Sequence, residues 1–346
     1  MDRTGARAIS ACTPSGSVPW TGRGRTYGLN SRIWKARASE KRENPLSSEP
    51  GTRTVPAVAG RTSGRRRWRV VAAVVLFLVG SLLLLQALKV GDGGDAAGQT
   101  ESAAGFGHVH GIGVNPADGR VYAGTHRGVV QISEQQPPVL VSDRAQDFMG
   151  FTVVGPNHFL ASGHPGHSSS ASVGLIESTD GGATWIPRSL EGRADFHSLQ
   201  ARHGLVYGYD FPTGELLVTA DLEDWDMRSH VGLGDFAVSP TDSDVVVGVT
   251  ERGVVRSQDG GRSFTAPAGP VLLLVSWAED GVLVGVTPRG VVHVSGDGAR
   301  TWDLRGTLNG TAEAVEAASG REIYAAADSA VLVSRDGGRT FAAVTP

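Results

Sequence analysis

The chain has 346 residues, of which 48 are glycine and 19% are charged, and its formal net charge is −3. Its single cysteine, Cys12, excludes an intramolecular disulfide and a metal site built on cysteines. The small net charge conceals a division: residues 1–69 hold 15 Lys/Arg against 4 Asp/Glu, a net of +11, whereas residues 70–346 hold 17 against 31, a net of −14. This acidic main part argues against nucleic acid as a partner.

The N-terminal part of the chain predicts a membrane anchor. Residues 1–64 are basic and poor in apolar side chains, so we expect a disordered cytoplasmic tail. A run without any charge, Val70–Leu88, directly follows four arginines and is long enough to span a bilayer as a helix. We therefore expect a transmembrane helix within 65–90. The arginines before it place the N-terminal part in the cytoplasm and the C-terminal part outside the cell by the positive-inside rule. A signal peptide cleaved near Asp95 is the alternative.

Residues 91–106 are rich in Gly, Ala and Asp and predict a linker, and residues 107–346 predict an all-β domain of six units. Each unit should contain strands A to D. The A strands are expected to begin near His108, Phe148, Phe196, Phe236, Leu273 and Ala314. The B strands are expected at 120–125, 158–162, 205–209, 244–250, 281–287 and 321–326. A turn of the form T-x-R-G-V-V follows the B strand at 125–130, 250–255 and 287–292, and it aligns the units.

A second motif, S-x-D-G-[GA]-x-[ST]-[WF], lies between strands C and D at 178–185, 257–264, 295–302 and 334–341, with a degenerate copy from Thr219 to Trp225. Its glycines permit the positive φ of a tight turn, and its aspartate can accept hydrogen bonds from the N–H groups of that turn. We expect these aspartates to be structural; they are spaced by 41, 38, 38 and 39 residues and are Asp180, Asp221, Asp259, Asp297 and Asp336. A period of about 40 residues indicates a repeat architecture.

The four intact copies resemble the Asp-box, or BNR repeat, which occurs in sialidases, other glycoside hydrolases and sortilin-type receptors. Residues 108–346 as a whole are similar to bacterial Asp-box proteins described as glycosylhydrolase-like. The resemblance implies a β-propeller in which the box lies on the edge away from any active site. With six units, we expect a six-bladed propeller. The first unit has lost its box, and the last strand, 341–344, is expected to complete its own blade without strand exchange.

The opposite face of such a propeller is formed by the D–A and B–C connections, and it collects the candidate functional residues. The catalytic candidates are Asp147, Asp195, Asp235 and Glu251; the ligand or metal candidates are His108, His110, Met149, His164, His167 and His197. Imidazoles with a thioether suit copper, and imidazoles with carboxylates suit zinc or another divalent ion. A central metal site of His110, Met149, His197 and nearby carboxylates is therefore one prediction. In the structural alternative, Asp turns the chain into each strand, Phe packs between blades, and the histidines are solvated.

Two functions are compatible with this face. The first is a monomeric binding module, anchored in the cell membrane, for a ligand, glycan, surface protein or metal. The second is a glycoside hydrolase, sialidase-like or otherwise, with Asp or Glu at the channel mouth. A sialidase needs three converging arginines for the substrate carboxylate, but the arginine motif of the family's first blade is absent, and His108-Val109-His110 stands in its place. We therefore favour the binding module, with the basic tail near anionic lipid headgroups and no nucleic-acid partner.

Overall fold

The computed structural model describes residues 107–134, 136–142, 146–166 and 171–344. The predicted tail, membrane helix and linker within 1–106 lie outside the described residues, as does His167. In the ranges that are described, no helix has the length and apolar character needed to cross a membrane.

The described residues form 23 strands in six antiparallel sheets, each built from consecutive strands. The first sheet consists of β1 (Val109–Val114), β2 (Val121–Thr125), β3 (Gly128–Ser133) and β4 (Gln136–Leu140). The second consists of β5 (Asp147–Gly155), β6 (His158–His164), β7 (Leu175–Ser178) and β8 (Ile186–Ser189). The third consists of β9 (Phe196–Arg202), β10 (Leu205–Asp210), β11 (Glu215–Thr219) and β12 (Trp225–His230).

The fourth sheet consists of β13 (Asp235–Val238), β14 (Val246–Thr250) and β15 (Gly253–Ser257). The fifth consists of β16 (Leu274–Trp277), β17 (Leu283–Val286), β18 (Val291–Ser295) and β19 (Asp303–Thr307). The sixth consists of β20 (Ala312–Ala317), β21 (Ile323–Ala327), β22 (Ala330–Ser334) and β23 (Ala342–Ala343). The first strand of each sheet lies beside the first strand of the next, and β20 lies beside β1. The six sheets therefore form a closed ring, which confirms the predicted six-bladed β-propeller.

The fourth blade differs from the prediction of four strands in every unit. Its outer segment makes only an isolated bridge between Val254 and Ala268 and forms no fourth strand. Pro267 and Pro270 flank that bridge. Because proline has no N–H to donate, these two residues limit the pairing of the segment, whose remaining backbone bond to β15 runs from Thr265 N to Arg256 O at 3.0 Å.

The ring closes at a seam between blades 1 and 6 without exchange of a strand, as predicted. Strand β23 pairs only with β22, in the same sheet. Across the seam, Val109 N donates a hydrogen bond of 3.0 Å to Glu313 Oε2. Val109 and Ile112 of blade 1 also belong to one buried apolar cluster with residues of blade 6. Side-chain packing and this backbone-to-carboxylate bond thus hold the ring closed.

The repeated C–D turns have the geometry that a turn-stabilising aspartate requires. In the turn after β15, Asp259 Oδ1 accepts hydrogen bonds from Ser257 Oγ at 2.7 Å and from Ser263 N at 2.9 Å, and Oδ2 accepts one from Ser263 Oγ at 2.6 Å. These bonds, the one from the Ser263 hydroxyl above all, lower the pKa of Asp259 to about 2. Asp180, Asp297 and Asp336 repeat the arrangement. In antiparallel four-stranded blades these turns lie at the edge opposite the B–C and D–A connections.

Candidate functional site

Histidines and carboxylates of blades 1 to 3 meet at one end of the central channel. His110 lies in β1, and the turn between β2 and β3 carries His126. Asp147 begins β5, His164 ends β6, and His197 lies in β9. His108 precedes β1 and Asp195 precedes β9. We refer to these seven residues as the channel mouth.

One half of the channel mouth is a close group of two imidazoles and a carboxylate. The Nε2 atoms of His110 and His126 are 3.2 Å apart. On the other side of the His126 ring, Nδ1 lies 2.7 Å from Asp147 Oδ1. Among the described residues, His110, His126 and Asp147 form the group of potential metal ligands whose atoms all lie within 4.8 Å of one another.

The other half continues the alternation of imidazole and carboxylate. His164 lies between two aspartates, with Nδ1 3.8 Å from Asp147 Oδ2 and Nε2 3.5 Å from Asp195 Oδ2. Asp195 Oδ2 in turn lies 3.1 Å from His197 Nε2. The His197 ring stacks on Phe211 with centroids 4.6 Å apart. Each aspartate of the mouth is thus flanked by two histidines.

His108 extends the group toward the seam of the ring. Its Nδ1 is 3.3 Å from Glu313 Oε1 of β20, and its side chain is 45% exposed. The ring centroids of His108 and His126 lie 4.6 and 4.5 Å from that of His110, and 5.9 Å from each other. Burial, and then the charges of His108, His126 and His197, lower the pKa of His110 to about 2. His110 is therefore a neutral imidazole at physiological pH.

Local backbone geometry explains why His126 reaches the mouth. In its turn, Thr125 Oγ1 donates to Gly128 O at 2.9 Å and accepts from Arg127 N at 3.1 Å. The same turn recurs in blade 4, where Thr250 Oγ1 donates to Gly253 O at 2.7 Å. There Glu251 occupies the position equivalent to His126 and is exposed. The recurring turn therefore fixes the backbone, and the residue at its second position determines whether the blade contributes to the mouth.

Gly163 permits the approach of β6 to β5 beneath His164. Its φ is +147°, and a Cβ at this position would lie 2.0 Å from Asp147 O. A side chain there would therefore force the two strands apart. His164 can face Asp147 because the residue before it is glycine.

Below the mouth, the channel is a cavity of about 330 Å³ that Met149, Asp235 and Glu316 help to line. Asp235 accepts hydrogen bonds from Ser198 Oγ at 2.7 Å and Val275 N at 2.9 Å, so it links the innermost strands of three blades. Burial raises the pKa of Asp235 to about 6.

Glu316 lies in the innermost strand of blade 6 and accepts a hydrogen bond of 3.2 Å from Ser276 Oγ. Burial raises its pKa to about 7, while the nearby Arg202 acts in the opposite direction. At the far end of the channel, Arg202 Nη1 lies 2.6 Å from Glu279 Oε1, and Arg202 also donates to the carbonyl of Trp277. An ion pair from blade 3 to blade 5 thus crosses the end opposite the mouth.

The structure divides the candidates predicted from sequence. It brings His108, His110, His164, His197, Asp147 and Asp195 together, whereas Met149 and Asp235 lie along the channel and Glu251 on an exposed turn. The close partners of His110 are His126 and His108. The sequence-based list of ligands and catalytic residues lacked His126, Glu313 and Glu316. Glu313 had a signal, because it stands in the innermost strand of the last unit at the position where the first unit carries His110.

No protein-family profile matches the sequence, and no curated protein is significantly similar to it. Similar solved structures include the GH74 enzyme of Niastella koreensis, with TM-score 0.52 and 15% identity over 70% of this chain. This chain spans about half, 46%, of that enzyme. A putative gluconolactonase has TM-score 0.52 and 14% identity over 71% of this chain and 94% of its own. A chain of the nidogen/laminin complex has TM-score 0.52 and 10% identity over 66% and 93%. These similarities concern the propeller fold.

Proposed function

We propose that the chain is a binding module of the Asp-box propeller type, held at the cell surface by the apolar segment at 70–88, and that it takes its ligand at the channel mouth. One observation carries the proposal: both aspartates of the mouth are engaged by imidazoles on each side. Asp147 lies between His126 and His164, and Asp195 lies between His164 and His197. Carboxylates in this arrangement orient histidines, and histidines oriented in this way are suited to binding.

The same observation argues against the mouth as a glycosidase centre. A glycosidase requires two carboxyl groups that flank the scissile bond, one of them protonated to act as the acid. Asp147 accepts the short contact from His126 at 2.7 Å, and it is therefore placed to hold that imidazole. The similar structures include a glycoside hydrolase and a protein complex, so the fold is compatible with either use.

A glycoside hydrolase is the second candidate, and one specific feature favours it. Asp235 and Glu316 both line the channel, and burial raises the pKa of both carboxyl groups, to about 6 and about 7. A carboxyl group that stays protonated near neutral pH is suited to general acid catalysis. If the chain is a hydrolase, these deeper residues are the ones to test, together with Asp147 and Asp195.

The test exposes the full-length chain to a panel of fluorogenic α- and β-glycosides and, in parallel, to an immobilised glycan panel. We expect no turnover of any glycoside. Turnover that Glu316→Gln or Asp235→Asn abolishes would establish the hydrolase instead, and turnover lost in Asp147→Asn would place that chemistry at the mouth. The exposed Glu251→Gln serves as the matched control, since it removes a carboxylate of the same face that lies outside the mouth and the channel.

A further inference from the structure

The three histidines nearest the seam lie in mutual contact, and two of them have the nitrogen spacing of ligands around one metal ion. His110 Nε2 and His126 Nε2 lie 3.2 Å apart. Two nitrogens bound tetrahedrally to zinc at about 2.0 Å are separated by about 3.3 Å. The observed separation thus allows one ion to bind both nitrogens with little movement of either ring.

The third histidine, His108, lies beside this pair but outside the group of His110, His126 and Asp147, whose potential ligand atoms all lie within 4.8 Å of one another. For three imidazoles on one tetrahedral zinc, the Zn–N distance of about 2.0 Å places the ring centroids about 5 Å apart. The three observed separations among His108, His110 and His126 are 4.5, 4.6 and 5.9 Å. The exposed His108 ring would therefore have to turn toward the other two to bring its Nε2 onto the same ion.

Two carboxylates contact the other ring nitrogens of these histidines. Ligating histidines usually donate their other ring N–H to a carboxylate, which fixes the tautomer and directs the remaining nitrogen to the metal. His126 Nδ1 meets Asp147 Oδ1 at 2.7 Å, and His108 Nδ1 meets Glu313 Oε1 at 3.3 Å. In both residues the ring nitrogen that does not face the carboxylate is Nε2.

We propose that His108, His110 and His126 bind one divalent transition-metal ion of the Zn²⁺ class through their Nε2 atoms, with Asp147 and Glu313 as positioning residues. The inference rests on the proposed function, since it names the ligand class of the same mouth. Zinc bound by three histidines keeps a fourth position open.

The experiment titrates the metal-stripped full-length chain with ZnCl₂ by isothermal calorimetry and measures bound zinc by elemental analysis. Wild type should bind one Zn²⁺ per chain. His126→Ala and His110→Ala should weaken binding by more than about 100-fold, and Asp147→Asn by about 10- to 100-fold at unchanged stoichiometry. His203→Asn is the matched control, because His203 contacts Ser239 O at an A–B turn on the opposite face.

His108→Ala provides the variant that leaves the fold intact, since His108 precedes β1 and its side chain is 45% exposed; it should weaken binding by at least about 10-fold. No saturable zinc in wild type, or zinc binding that His108→Ala, His110→Ala and His126→Ala all leave unchanged, would overturn the metal site. The outcome is separate from that of the glycoside panel. If the chain binds zinc and also hydrolyses a glycoside, only the proposal of a binding module is refuted. If it neither binds zinc nor hydrolyses a glycoside, only the metal site is refuted.

Discussion

Replacing Glu316 with glutamine should change how stability depends on pH. The channel encloses this carboxyl group with protein atoms while part of the residue stays accessible, and burial raises its pKa from 4.5 to about 7. Because the folded state holds this proton more tightly than the unfolded state, the group favours folding below pH 4.5, and that advantage is lost as pH rises toward 7. Glu316→Gln cannot ionise, and its amide oxygen can still accept the hydrogen bond from Ser276 Oγ.

The size of the effect follows from the shift. At 1.36 kcal/mol per pKa unit, a rise from 4.5 to about 7 corresponds to about 3 kcal/mol. The attraction of Arg202 is already contained in the shifted pKa, and solvent in the channel weakens the effect of burial, so we expect between about a third and the whole of that. Between pH 4.5 and pH 8, the variant should therefore gain about 1 to 3 kcal/mol of unfolding free energy relative to wild type.

The assay is urea denaturation of wild type, Glu316→Gln and the exposed control Glu251→Gln at pH 4.5, 6, 7 and 8. The difference between Glu316→Gln and wild type should be small at pH 4.5 and should grow up to pH 8, while the control stays parallel to wild type. The reasoning is refuted if the Glu316→Gln and wild-type profiles run parallel, because the carboxyl group would then ionise equally in folded and unfolded chains.

Three further predictions concern stability and the mouth. Phe196 is fully buried, and its ring lies 2.6 Å from where a Cβ at Gly208 would stand. Phe196→Ala should therefore lower the free energy of unfolding, measured by urea denaturation, by about 3 to 5 kcal/mol, and Phe196→Leu should lower it clearly less. Glu313→Ala removes the acceptor of the hydrogen bonds from Val109 N and Ser329 N and should lower the free energy of unfolding by about 1 to 3 kcal/mol per lost bond. Glu313→Gln keeps an acceptor and should lower it less; equal losses in the two variants would contradict this account. Gly163→Ala should lower both the melting temperature and zinc affinity, whereas Gly119→Ala, at a positive φ with nothing within 4 Å, should leave zinc affinity unchanged.

Local turn chemistry made the propeller predictable from sequence. The intact Asp-Gly turns carry the same aspartate hydrogen bonds, and the T-x-R-G-V-V turns of blades 1 and 4 share a threonine-to-carbonyl bond, so their spacing counts the blades and orients the ring. The fourth blade departed from the pattern where Pro267 and Pro270, which have no N–H to donate, stand in its outer segment, a signal present in the sequence but outweighed by the regular period.

The composition of the mouth was less predictable because it depends on which side chains meet across blades. His126 shares its turn with Glu251 of blade 4, and only position in the ring brings one of them to His110. Glu313 reaches His108 across the seam, over 205 positions of sequence. Gly163, which lets β6 approach β5, reads in the sequence as an ordinary turn residue.

The uninterrupted blades have a consequence for how such a ring can change. Because each hydrogen-bonded sheet begins and ends within one continuous stretch of chain, duplication or loss of one stretch adds or removes a whole blade without splitting a sheet. In a ring closed by an exchanged strand, a duplication at the junction would divide the closing blade between the two chain ends. Here only the contacts between neighbouring blades must adjust, so the diameter of the channel can change in steps of one repeat.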